Sequence, residues 1–145
     1  MNRSLEDIIY DLIGFLRPHV EGIGSVLDIG TGTSLPIHTI ADVFTDIKYF
    51  TVDVTDMRKV KKLRFVIYDG KRLPFGEKEF DVSLLNETLH HCSDPVPVLT
   101  EARRVAERVF VIEHFPRHGT GIDELKESEK DALRSFEIDC PVYNP

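Results

Sequence analysis

Val26-Leu27-Asp28-Ile29-Gly30-Thr31-Gly32-Thr33-Ser34 is the stretch from which the rest of the chain is placed. An apolar run ends at an acid, a Gly-x-Gly turn follows, and a helix start comes next. This predicts the first strand of a parallel sheet, over 25–29, turning into a helix whose N-terminus faces a ligand. Glycine suits such a turn because it tolerates positive φ and lets a ligand approach the backbone.

Working outward, the chain alternates strands with helices. N-terminal to the turn, Ser4 caps a helix with Glu6 and Asp7 in its first turn and Ile8, Ile9, Leu12, Ile13 and Leu16 at helical spacing. Pro18 and Gly22 end it. This helix either covers one end of the sheet or forms a lid over a ligand cleft with Tyr10 and Phe15 as aromatic walls. A crossover helix is expected from Ser34 or Leu35 to about Phe44, with Pro36 tolerated in its first turn and Ile37, Ile40, Ala41 and Phe44 inward.

Further strands are expected over 48–54, closing at Asp53, over 63–68, leading to Asp69-Gly70, over 80–85, leading to Asn86-Glu87, and over 108–112, closing at Glu113. Thr55-Asp56 reads as the cap of a short helix through Leu63, and 71–79 as a loop. Asp94-Pro95 opens a helix to about Ala106. Beyond Glu113 the pattern predicts a loop (115–121), a polar helix (122–133) and a last strand on the alternation of Phe136, Ile138, Cys140 and Val142, at a sheet edge because Pro141 cannot donate to a ladder. Strands separated by helices imply an α/β doubly wound, Rossmann-like sheet: five parallel strands plus one C-terminal edge strand, with helices on both faces. Five apolar runs close on Asp28, Asp53, Asp69, Asn86 and Glu113, the end of such sheets where ligands bind.

The chain has 145 residues, which favours one domain over 1–145: an N-terminal helix and linker (1–24), a core (25–113) and a short C-terminal part (114–145). No segment approaches the roughly 20 apolar residues of a membrane helix, and no secretory signal is evident. With two cysteines and no leader, a reduced cytoplasmic location is the default expectation. A net charge of -7 disfavours whole-surface affinity for nucleic acid. One basic run opposes it: Arg58, Lys59, Lys61, Lys62 and Arg64, with Lys71 and Arg72 close behind. It reads as a solvated helix face, or, if it lines the cleft, as a polyanion contact.

Taken in order, Leu27-Asp28-Ile29-Gly30-Thr31-Gly32, Asp53, Tyr68-Asp69-Gly70, Leu73-Pro74-Phe75, Phe80-Asp81-Val82 and Glu87-Thr88-Leu89-His90-His91-Cys92-Ser93-Asp94-Pro95 resemble a class I S-adenosylmethionine-dependent methyltransferase over roughly 25–113. The resemblance implies S-adenosyl-L-methionine as cofactor. It places backbone near Gly30 and Gly32 against the methionine portion, Asp28 toward its ammonium, Asp53 on the ribose hydroxyls, Asp69 on the adenine amine, Gly70 beside the ring and Asn86 near the transferred methyl. Read alone, the glycines could form an ordinary turn, Asp53 a helix cap and Asp69-Gly70 a turn. Asp81 is expected to support loop hydrogen bonds.

The chain departs from the family pattern in three places. Ser34 stands where many members have a third glycine, the glycine-rich turn before the fifth strand is missing, and the C-terminal part is short. An exposed sheet edge would suit a homodimer.

Methyl transfer from a sulfonium needs alignment and desolvation more than an acid. His91 and His90 are the candidate bases, His91 in the more usual position of the family pattern; alternatively one packs and the other is solvated. Three adjacent residues, His90, His91 and Cys92, do not easily face one ion, so no metal is expected. The acceptor, whether small molecule, protein or RNA, is not specified, although Asn86-Glu87-Thr88-Leu89 lacks the signature of exocyclic-amine nucleic acid methylases. A methyltransferase-like binding or regulatory module is the alternative. A nicotinamide-dependent oxidoreductase ranks last, because Leu35 occupies a position its fingerprint gives to glycine.

Overall fold

The computed structural model describes residues 4–113. Its centre is β1 (Ser25–Ile29), with β2 (Lys48–Asp53) on one side and β4 (Phe80–Asn86) on the other. β3 (Arg64–Ile67) and β5 (Ala106–Ile112) complete a five-stranded, all-parallel sheet in the order β3-β2-β1-β4-β5. The order reverses at β1, which opens a crevice beyond the carboxyl ends of β1 and β4.

Both faces are covered, as the apolar runs require. α1 (Leu5–Leu16) and α2 (Leu35–Val43) pack Leu12, Leu16, Ile37 and Ile40 against Val26, Leu84 and Ile112. α3 (Val96–Val105) packs Leu99, Ala102 and Val105 against Leu27, Ile29, Leu85 and Val111. α1 begins with a capping box: the Asp7 N–H donates to Ser4 Oγ and the Ser4 N–H to Asp7 Oδ2, both at 3.1 Å. Asp81 supports the strand entry as expected, accepting from the Gly24 N–H at 2.7 Å and the Ser25 N–H at 3.0 Å. Among the described residues no helix is long and apolar enough to cross a membrane.

One expected element is absent: residues 55–63 form no helix, so the basic run is not a helix face. The reason is legible in hindsight. The segment has no apolar stripe to bury, and its backbone is committed elsewhere. His38 Nε2 accepts from the N–H groups of Lys62 and Leu63, both at 3.2 Å, so Nε2 carries no proton. Nδ1 then holds it and donates to the Ser34 carbonyl at 2.6 Å, with Ser34 Oγ at 2.9 Å. The Lys59 N–H donates to Thr33 O at 2.8 Å. Residues 71–79 form a loop without a helix, as the sequence predicted. Here Glu101 accepts from the Leu73 N–H at 2.7 Å, and Arg104 reaches the carbonyls of Leu73 and Phe75. The expected loop, helix and edge strand over 114–145 lie outside the described residues.

Candidate active site

The carboxyl ends of β1, β2 and β4 frame a cavity of about 730 Å³, roofed by Leu5, Ile8 and Leu12 of α1. The lid is therefore aliphatic. Tyr10 is 79% exposed, and Phe15 packs edge-on against Phe110 away from the cavity.

Asp28, Gly30, Gly32, Asp53, Gly70, Asn86 and His91 all line this cavity. Asp28 is buried at the end of β1, and burial pushes its carboxyl from 3.8 up to about 7. The charge of Asp53 adds to the rise, and the Thr31 hydroxyl opposes it. Asp53 Oδ2 accepts from the Gly32 N–H at 2.8 Å and Oδ1 from the Val54 N–H at 2.7 Å, which fixes the carboxylate at the rim.

The two glycines of the turn serve different ends. At Gly30 (φ 77°) a Cβ would lie 2.6 Å from the Thr88 methyl, so this position is small because Thr88 packs on it. At Gly32 (φ 55°) a Cβ would meet nothing within 4 Å, so the backbone opens onto the cavity. Ser34 (φ 65°) is also left-handed, which explains why glycine suits the position. Its hydroxyl and carbonyl both lie within hydrogen-bonding distance of His38 Nδ1.

Asp69 is exposed and stands outside the cavity wall. Its Oδ1 accepts from the N–H groups of Lys71 and Arg72 at 2.8 and 2.9 Å, and these bonds hold its carboxyl below the ordinary range. Tyr68, before it, does line the cavity, and burial raises its phenol to about 12.

The two histidines part ways on the short turn Leu89–His91. His91 lines the cavity; His90 is not part of its wall and donates from Nδ1 to Glu113 Oε2 at 2.7 Å. The two rings are in contact, with centroids 4.0 Å apart. Glu113, buried after β5, also accepts from the N–H groups of Thr88 and Leu89 on Oε1, at 2.8 and 2.6 Å. Glu87, His90 and Glu113 bring ligand-type atoms within 4.8 Å of one another. A hydrogen bond to Glu113 accounts for His90 in that grouping, and Glu87 Oε2 lies 3.9 Å from His90 Nδ1. Neither Thr88 nor the anchoring role of Glu113 was legible beforehand, since each depends on contacts across tens of residues.

The cavity's electrostatics are one-sided. Asp28, Asp53, Glu87 and Asp94 line it, and among the described residues no Lys or Arg does. The basic residues between Arg58 and Arg72 all lie outside its wall.

The chain matches the sequence profile of the family described as "Methyltransferase domain" over residues 27–112. It is 29% identical over 131 residues to the uncharacterised protein MJ1123 of Methanocaldococcus jannaschii, covering 86% of this chain and 62% of that protein. A SAM-dependent methyltransferase from Aquifex aeolicus superposes with a TM-score of 0.61 at 18% identity, over 92% of this chain and 88% of that one. The [4+2]-cyclase SpnF superposes at 0.66 and 21% identity, over 87% and 55%. At these identities the likeness concerns the fold, which hosts unlike chemistries. The chain spans less than two thirds of the length of the curated relative it matches.

Proposed function

The chain belongs to the methyltransferase domain family, and on that premise we propose that it transfers the methyl group of S-adenosylmethionine to an acceptor held beneath α1. The observation that carries this reading is Asp28: a carboxyl buried at the switch point of the sheet and lining a cavity that no described cation enters. Burying an acid without a counter-charge is costly. A ligand bringing an ammonium relieves that cost. The residues present fit the cofactor on this ground and on a second one, the open backbone at Gly32.

Asp28 would hold the ammonium, the turn around Gly30 and Gly32 would take the methionine portion, and Asp53 would accept from the ribose hydroxyls with the lone pairs its two backbone bonds leave over. Gly70 leaves room for the adenine. Asp69, outside the cavity wall, would meet the adenine amine only from the rim and would contribute less than Asp53. When bound, S-adenosylmethionine supplies an electrophilic methyl on a sulfonium whose departure needs no acid. The protein's part is alignment and exclusion of water, for which α1 is the roof. His91 takes a proton from the acceptor where one must be lost. His90, held by Glu113, supports that ring without entering the cavity. A second copy pairing along an exposed sheet edge is a further part of this proposal, tested by sedimentation.

Calorimetry with S-adenosylmethionine, S-adenosylhomocysteine and NAD tests the cofactor. The first two bind and NAD does not; the reverse overturns the reading. Labelled-methyl transfer into small-molecule, protein and RNA fractions then separates a working enzyme from a module that binds the cofactor without transfer.

A further inference from the structure

We infer that the acceptor end of the cavity is built for an amine, a basic nitrogen on an apolar carrier, and rejects carboxylates and phosphates. The inference rests on the cofactor reading above, because that reading assigns Asp28 and Asp53 to the methyl donor and leaves the opposite wall for the acceptor.

Hydrogen-bond polarity is the first observation. Asn86 Oδ1, at the end of β4 in the cavity wall, is buried with no hydrogen-bond partner among the described residues. A carbonyl oxygen in that position asks for an N–H or O–H donor. Glu87, Asp94 and His91 line the same cavity, and carboxylates only accept when ionised. An ammonium brings three donors and a positive charge to this set; an alcohol brings one donor and no charge.

Charge is the second. No described Lys or Arg lines the cavity, although the chain holds a dense basic run between Arg58 and Arg72. An anionic acceptor would meet Glu87 and Asp94 with no described Lys or Arg in the wall to pair with it. The third observation is the roof. Leu5 and Ile8 of α1, with Pro97 and Val98 of α3, offer side chains without polar atoms, which suits an apolar carrier.

The chemistry balances. The amine enters as an ammonium and gives one proton to the His91 ring. Its nitrogen lone pair forms the N–C bond to the methyl carbon while the C–S bond breaks and its electron pair returns to sulfur. The positive charge passes from sulfur to nitrogen, the product leaves as an N-methylammonium, and His91 releases its proton to water.

Ligand-observed NMR on the full chain saturated with S-adenosylhomocysteine tests this without turnover. The probes are matched trios on benzyl, cyclohexyl and butyl bodies, each as primary amine, alcohol and carboxylate, plus a lysine-containing peptide to separate small-molecule from protein sources. Amines should bind at least about tenfold tighter than their matched carboxylates. The double variant Glu87→Gln, Asp94→Asn should erase that preference while S-adenosylhomocysteine affinity stays within about twofold. Failure of S-adenosylhomocysteine itself to bind overturns the cofactor reading on which this one stands. With the cofactor product bound, carboxylates matching the amines, or no amine binding at all, overturns the amine assignment alone.

Discussion

Residues 54–63 and 68–79 both connect parallel strands without a helix, and they are held in opposite ways. The second crossover is fastened to the core. Leu73 is fully buried beneath α3, Phe75 packs edge-on against Phe80, and Glu101 and Arg104 bind its backbone from the helix. The first crossover buries little; Val54 and Met57 are more than half exposed. Its anchors are hydrogen bonds to Thr33 and His38, beside the Gly-x-Gly turn. One loop is secured by what the core gains, the other by what the ligand site supplies. Damage to the anchors of 54–63 should register in ligand affinity, and damage to those of 68–79 in stability.

The largest expected effect is on Leu73. Leu73→Ala should cost about 2–5 kcal/mol in urea denaturation, as for buried leucines generally, with cofactor affinity of the folded protein unchanged. Removing Glu101 comes next. Glu101→Ala leaves the Leu73 N–H without its acceptor and takes the carboxylate from Arg104, which keeps the Leu73 and Phe75 carbonyls, a loss of about 1–3 kcal/mol.

The same pair predicts an acid response. Arg104 holds the Glu101 carboxyl below its ordinary range. A lowered folded value means the pair's stabilisation is present above the ordinary carboxylate range and disappears as pH falls through the lowered value. Glu101→Gln should flatten that part of the acid limb when urea midpoints are compared at neutral and acid pH. The smallest stability effect belongs to His38→Ala, about 1 kcal/mol, yet this variant should weaken cofactor binding severalfold. Should His38→Ala leave calorimetric affinity untouched while Leu73→Ala lowers it, the contrast between the loops is wrong.

The same contrast explains what the sequence could show. β1, β2, β4 and β5 are apolar runs closed by polar residues, a local pattern, and all four were legible with the ends Asp28, Asp53, Asn86 and Glu113. The helix read at 55–63 was not real because its cap signal, Thr55-Asp56, is local while the competing partner, His38, is remote in sequence. Of the two readings of the first helix, the lid names Tyr10 and Phe15 where the cavity meets Leu5, Ile8 and Leu12, because periodicity marks a helix face without saying which part of it meets the cavity. Gly30 lines the cavity as a ligand approach requires, but the contact that keeps it small is Thr88, 58 residues on. The family pattern ranks His91 ahead of His90; what it leaves open is His90, which the turn at Leu89–His91 directs to Glu113 and not to the cavity wall.

Asp28 links site and stability most directly. Its carboxyl stands at about 7 in the native protein against an ordinary 3.8. Between those values the native state keeps a proton that the unfolded chain has lost, so this group's contribution to stability falls as pH rises from about 4 to about 7. A bound ammonium favours the ionised carboxylate and should drive that proton off. Calorimetry of S-adenosylmethionine binding at pH 6 in buffers of different ionisation enthalpy counts it. The wild type should release about one proton per cofactor, and Asp28→Asn should release none and bind at least about tenfold more weakly. Equal affinity in the two proteins, with no proton released by the wild type, would contradict the claim that this buried acid receives the cofactor's cation.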